Sequence, residues 1–177
     1  MRAEPVAVAF ANTRSSAGRD RIDHLDLWRA WSGERPGLRT IGLAVDSEGL
    51  RHLRAVRDEV QAVLRATALA APADATALGR TLELAGAASP LTLRRRDDRY
   101  ELAVTGNGSA ATAVAHHLAR AAVDLLVTGP ALTACAGQGC LKVFTATRAA
   151  RRWCDGSVCG NRARVRAHHQ RHSGSAP

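Results

Sequence analysis

Apolar side chains recur at helical spacing through most of the chain and change period in two short stretches. Ile22, Leu25, Trp28 and Trp31 return every third residue, which predicts an amphipathic helix over residues 21–32, ended by Gly33, Pro36 and Gly37. Asp46 or Ser47 reads as the N-cap of a long helix. Its buried stripe is Leu50, Leu53, Val56, Val60, Val63 and Leu64, and Ala70-Ala71-Pro72 marks its end. A further helix is expected over residues 74–85, and Ser109 caps another that runs through Val127 on Val114, Leu118, Val123 and Leu126. Residues 6–13 alternate apolar and small side chains and predict a short strand or an extended lead-in. Residues 91–93 and 100–104 flank a charged segment in which Asp97-Asp98 supplies a turn, the pattern of a β-hairpin.

Thr128-Gly129-Pro130 stops the last of these helices five residues before the first cysteine and marks a domain boundary. The expected architecture is α+β, mainly α. A helical domain with one β-hairpin spans residues 1–130, a small four-cysteine finger spans 131–172, and 173–177 form a disordered tail.

Composition sharpens the picture. Hydrophobic residues are 46% of the chain but aromatics only 3%, so the core rests on Ala, Leu and Val. So few aromatic rings argue against stacking platforms for single-stranded nucleic acid. The net charge of +9 is unevenly placed. Residues 1–130 carry 17 Arg against 15 Asp and Glu, whereas residues 131–177 carry 7 Arg and one Lys against Asp155 alone. A net of +2 thus precedes a quarter-length segment of +7, which is the footprint of a nucleic-acid-binding module or of a solvated basic tail. The apolar patch after Met1-Arg2-Ala3-Glu4-Pro5 is too short for a secretory signal. The uncharged run at 125–141 holds Gly129, Pro130, Gly137 and Gly139 and is not expected to span a bilayer. No membrane association is expected, and the cytoplasm is the expected compartment, where thiols stay reduced.

All four cysteines lie in the basic segment, spaced C-x4-C-x13-C-x4-C. A structural zinc needs four ligands converging at about 2.3 Å from one ion. Each x4 loop, Ala136-Gly137-Gln138-Gly139 and Asp155-Gly156-Ser157-Val158, is turn-prone enough to bring its pair together. The x13 segment suffices for a short hairpin with Leu141, Val143 and Phe144 as its apolar face. Paired cysteines in a reducing compartment point to one structural Zn²⁺ on Cys135, Cys140, Cys154 and Cys159. Two disulfides or unrelated free thiols are the competing readings. Redox chemistry fits poorly, because neither pair is C-x-x-C, and a full thiolate set leaves no open position for a catalytic water. Cys159 precedes a helix expected over residues 160–172, where backbone dipoles favour a thiolate.

Arg151-Arg152-Trp153-Cys154 followed by Cys159-Gly160-Asn161-Arg162 resembles the CGNR zinc-finger family, in which a C-terminal finger follows an ABATE domain. Phe10-Ala11-Asn12-Thr13 and the Trp-bearing helix resemble that N-terminal domain. Family members are described as stress-linked transcriptional regulators, so the resemblance implies a regulator with a structural zinc. One departure stands out. The family's Phe-Tyr-Asp-x-Ser is replaced by Phe144-Thr145-Ala146-Thr147-Arg148, which spares the cysteines and removes whatever the Tyr and Asp contact.

On the C-terminal helix Arg162, Arg166 and His169 share one face, while Arg164, His168 and Arg171 share a neighbouring one. Together with Arg151 and Arg152, the residues Arg162, Arg164, Arg166, His169 and Arg171 are the candidate nucleic-acid contacts, with double-stranded DNA the expected partner. Alternatively, these arginines pair with acidic groups of the chain or a second subunit, and the finger is only a structural module of a ligand-binding or protein-interaction protein. The histidines near the C-terminus are weaker candidates for a second metal, and His116-His117 for ligands of any kind. No nucleotide-binding glycine loop, HExxH or nucleophile elbow occurs, so an enzyme is not expected. Gly106-Asn107-Gly108-Ser109 reads as a turn rather than an anion cradle; Asn12, Thr13 and Arg14 read as the lining of a polar pocket, or Asn12 and Thr13 as turn or helix-entry residues. Sensing of a small effector, or homodimerisation, is the role left for the N-terminal domain.

Overall fold

The computed structural model describes residues 4–16, 19–72, 74, 76, 79–80, 83, 91–96, 99–104, 109–145 and 151–173. Most of the helix expected over 74–85, the Asp97-Asp98 turn, Gly106-Asn107-Gly108 and tail residues 174–177 lie outside the described residues. The elements in chain order are α1 (Val6–Ala11), β1 (Arg14–Ser16), β2 (Arg19–Asp20), α2 (Leu25–Gly33), α3 (Arg39–Leu43) and α4 (Ser47–Ala68). They continue with β3 (Leu91–Arg96), β4 (Arg99–Val104), α5 (Ala110–Thr128), β5 (Leu132–Ala134), β6 (Val143–Thr145) and α6 (Asn161–Ser173).

The two long helices form the frame and pack against each other. Helix α4 starts where the Asp46 carboxylate accepts the Gly49 amide at 2.8 Å, an N-cap that satisfies one orphan donor of the first turn. The expected stripe from Leu50 to Leu64 is buried. Helix α5 is capped by the Ser109 hydroxyl, which accepts the Thr112 amide at 3.1 Å. Its inward face is mostly alanine, from Ala111 to Ala122, with Val114 and Leu118 between. Small side chains let backbones approach, which is how a chain poor in aromatics closes its core.

Residues 6–11 are a helix, not the expected strand. Alternation of apolar with small side chains is no signal when every side chain is apolar. Helix α1 lies against α4 and α5 with Ala7, Val8, Phe10 and Ala11 buried, so both faces are covered and no polar face sets the period. Helix α2 places Trp28 and Trp31 in the core with stacked rings 5.5 Å apart. The buried Trp28 indole N–H donates to the Gly42 carbonyl at 2.8 Å and fixes α3, a short helix with no sequence signature of its own.

Strands β3 and β4 form the expected antiparallel hairpin, in register from Leu91↔Val104 to Arg96↔Arg99, with β4 beside α3. Two shorter pairs form separate two-stranded sheets. β5 and β6 pair antiparallel, Leu132 opposite Thr145 and Ala134 opposite Val143, so this hairpin encloses the first cysteine pair instead of lying between the pairs as expected. The paired strands bring the chain back at once, and the first knuckle is their turn. The irregular β1–β2 pair is held on α4 by charge. Arg57, almost wholly buried, reaches Asp20 of β2 at 2.7 Å and Asp58 at 2.9 Å, and Arg14 of β1 reaches Asp58 at 2.9 Å. The Gln61 amide donates to the carbonyls of Ala11 and Arg14 at 2.7 and 2.8 Å, closing the same corner.

Candidate metal centre and nucleic-acid interface

The four sulfurs converge. All lie within 4.8 Å of one another, with Cys140–Cys154 at 3.8 Å and Cys154–Cys159 at 3.6 Å. A tetrahedron of bonds about 2.3 Å long has edges of about 3.8 Å, so these separations are those of thiolates around one zinc ion. They are too long for disulfides, whose sulfurs sit about 2 Å apart. The donor set therefore fits a single structural Zn²⁺, and four sulfurs complete its coordination. When bound, the ion supplies cohesion and not a reactive water.

The loops explain the convergence. In the first knuckle Gly139 takes φ +70°, a left-handed conformation open to glycine, and the Cys140 amide donates to the Gly137 carbonyl at 2.9 Å. A side chain at Gly137 would put its Cβ 3.1 Å from the Cys159 sulfur and 3.4 Å from that of Cys135, so the knuckle presses directly on the metal site. In the second, the Asp155 carboxylate accepts the amides of Ser157 and Val158 at 2.8 and 3.1 Å. A single wide turn over Gly156–Gly160 then ends in α6, with the Gly160 amide reaching the Asp155 carbonyl.

Burial disfavours the thiolate at Cys135, but amides of Cys154 and Gly137 donating to its sulfur at 3.3 and 3.4 Å overcome this and hold its pKa below the ordinary thiol value. Cys154 is pushed the other way, by burial first and then by the Cys135 and Cys159 sulfurs and the negative charge of Cys140. Cys159 is raised as well, chiefly by burial, which together with the Cys135 and Cys140 sulfurs outweighs the lowering by its bond to Cys154. Four crowded thiols resist shared ionisation, and a dication is the group that removes the conflict.

The finger is fastened to the helical domain. Asn12 takes both outward backbone groups of Val143: its Nδ2 donates to the Val143 carbonyl at 2.8 Å, and its Oδ1 accepts the Val143 amide at 3.0 Å. Arg65 donates to the Cys140 carbonyl at 2.9 Å, the Leu141 amide donates to the Ser15 carbonyl at 3.0 Å, and Val143 is buried in the core of the helical domain. Asn12 is thus a latch and not the wall of a polar pocket. The Thr13 hydroxyl is structural too, donating to the Phe10 carbonyl, whereas Arg14, besides its ion pair with Asp58, lines a polar cleft with Asp20, Asp23 and Arg54 as the sequence reading allowed. His116 and His117 are half-buried on α5, and burial, aided by His116, pushes His117 below the ordinary imidazole range.

Helix α6 projects from the wide turn with every arginine exposed, and only Ala163 and Ala167 half-buried. It holds no acidic residue. Among the described residues, Arg162, Arg164 and Arg166 pair with no carboxylate; Arg164 touches the Gly156 carbonyl at 3.4 Å. His168 and His172 stack at 4.2 Å. Arg151 is spent on the finger itself, donating to the carbonyls of Trp153 and Cys154 and lying over the Phe144 ring, while Arg152 sits over Trp153. Arg19 of β2, the knuckle and α6 also enclose a cleft beside the metal centre, which the sequence pattern gave no means of finding.

Two family models match. Residues 4–129 match the ABATE model, described as "Putative stress-induced transcription regulator", and residues 132–172 match the CGNR zinc finger. A search of curated proteins returns no match to the chain. Neither family description names an enzymatic activity. Among the described residues, no helix is long and apolar enough to cross a membrane.

Proposed function

Because the chain belongs to the ABATE family and ends in a CGNR zinc finger, we propose that it is a DNA-binding transcription regulator whose α6 lies against duplex phosphates. One observation carries the reading: a helix of 13 residues, rich in exposed arginine and free of acidic side chains, is anchored at its N-terminal end to a tetrathiolate metal centre. Zinc supplies no chemistry to the nucleic acid in this reading. It fixes Cys159 and Gly160, and through them the pose of Arg162, Arg164, Arg166, His169 and Arg171. Arg152 joins the same surface, and Arg151 positions it by bracing the second knuckle. Contacts of this kind position a protein on DNA without reading its sequence.

The test is duplex binding by the zinc-loaded chain over a range of salt. Five phosphate contacts give a slope of log affinity on log salt of about −4 to −5, and chelation of the metal abolishes binding. Absent or salt-independent binding refutes the proposal. The alternative, a structural finger on a ligand-binding or protein-interaction protein, draws support from the Asn12 latch. It predicts an α6 neutralised by the rest of the chain, and Arg162, Arg164 and Arg166 speak against that.

A further inference from the structure

A cleft of about 270 Å³ lies where the two domains meet. Its walls are β1 and β2 with Ser15, Ser16 and Arg19, the first knuckle with Lys142 beside it, and the first turns of α6 with Arg162 and Arg166. Clefts at domain junctions are preferred ligand sites, and this volume suits a small metabolite. The charge balance decides what kind. A zinc held by four thiolates is formally −2, and three of those cysteines reach the cleft, so some of the surrounding cations serve only to offset the metal centre. Asp155 removes one more, although its carboxylate is already engaged by the Ser157 hydroxyl and two amides. Four cations against these three negative charges leave a surplus of one. Val158 and Ala163 add apolar surface.

We infer that this cleft binds a small organic anion, one carboxylate or phosphate head on a compact apolar body. Arg19 and Arg162 grip the head from opposite walls, and Lys142 adds a third positive charge. Arg19 belongs to the helical domain and Arg162 to the finger, so the ligand bridges the two. The Asn12 and Arg65 contacts already hold those walls in place, which lowers the ordering cost of binding. The inference stands apart from the DNA reading, because it needs only the cleft and its cations.

Isothermal titration calorimetry on the full, zinc-loaded chain tests it, with benzoate as the carboxylate probe and inorganic phosphate as the other head group. One probe is expected to saturate at one site per chain, and whichever binds tighter identifies the head. Arg19→Ala and Arg162→Ala each weaken binding about tenfold or more, the loss of a charge-assisted hydrogen bond. Arg120→Ala, which removes an exposed charge from α5 outside the cleft lining, moves it by less than about twofold, as expected of a screened exposed charge. Zinc content of each variant, measured in parallel, stays at one per chain. If neither probe saturates, or if Arg120→Ala weakens binding as much as Arg19→Ala does, the cleft is no site and the inference falls.

Discussion

Replacing Asn12 by alanine isolates the contact that fastens the finger to the helical domain. Val143 is fully buried, and its amide and carbonyl both point away from β5, so Asn12 is the partner of each, at 3.0 and 2.8 Å. Truncation leaves one donor and one acceptor unsatisfied beside the core. Each costs about 1–3 kcal/mol when left unpaired, and water entering the vacated space returns part of it, so the expected loss is about 2–4 kcal/mol. In a chain of this size that lowers the melting temperature by roughly 4–16 °C. Asn12→Asp is expected to be at least as damaging, since its carboxylate still accepts the Val143 amide but faces the Val143 carbonyl and lies beside Glu4 with no hydrogen to offer. Urea denaturation of the zinc-saturated protein measures both. A loss below about 0.5 kcal/mol for Asn12→Ala, the level of an indifferent surface substitution, refutes the latch.

Two further outcomes follow from the geometry. Burial raises the Asp20 carboxyl, but the Arg57 hydrogen bond, the Ile22 amide and the charges of Arg57 and Arg54 outweigh it, so its folded pKa lies below the ordinary 3.8. A depressed acid contributes stability that is fully present above its unfolded pKa and is lost as pH falls through the folded one. Acid titration of stability should therefore steepen below about pH 4, and Asp20→Asn should flatten it while costing about 2–4 kcal/mol at neutral pH, because the buried Arg57 then keeps Asp58 as its sole carboxylate partner among the described residues. An unchanged acid limb contradicts this. Gly137→Ala forces a methyl to 3.1 Å from the Cys159 sulfur and should weaken zinc about tenfold, the effect of overpacking by 1–3 kcal/mol, in competition with a chromophoric chelator. Gly156→Ala, whose Cβ meets nothing within 4 Å, should not. Equal zinc affinity in the two variants refutes the crowding.

Sequence periodicity located α2, α4, α5 and the β3–β4 hairpin because each has a signal of its own: a polar face, a capping Asp46 or Ser109, or a change of period. The metal site was legible for a different reason. Paired cysteines at a fixed spacing are a familiar pattern of zinc ligands, and the tetrad that begins at Cys159 resembled a known finger. Helix α1 was misread because burial on all sides erases periodicity, and α3 was missed because a tertiary hydrogen bond from Trp28 specifies it. The roles of Asn12, Arg65 and Arg19 were hidden more deeply. Each acts on atoms far away in the sequence, Asn12 on a backbone 131 residues along and Arg65 on one 75 residues along, and no local pattern encodes such a pairing.

The docking of the finger also constrains how an effector would regulate the chain. A hinge between the domains would have to break the Asn12, Leu141 and Arg65 hydrogen bonds and expose Val143, a cost no small anion recovers from one head group. Regulation by domain rotation is therefore disfavoured on energy alone. The two proposals offer a cheaper route, because Arg162 and Arg166 line the cleft and also stand on the α6 surface assigned to DNA. An anion seated between Arg19 and Arg162 and a phosphate on the outside of α6 would draw on the same guanidiniums, so each would weaken the other by occupancy, and reciprocity of linkage makes the two effects equal. Such competition needs no moving part. It works only while the metal centre and the latch hold α6 still, which gives the rigidity of the junction a purpose in either proposal.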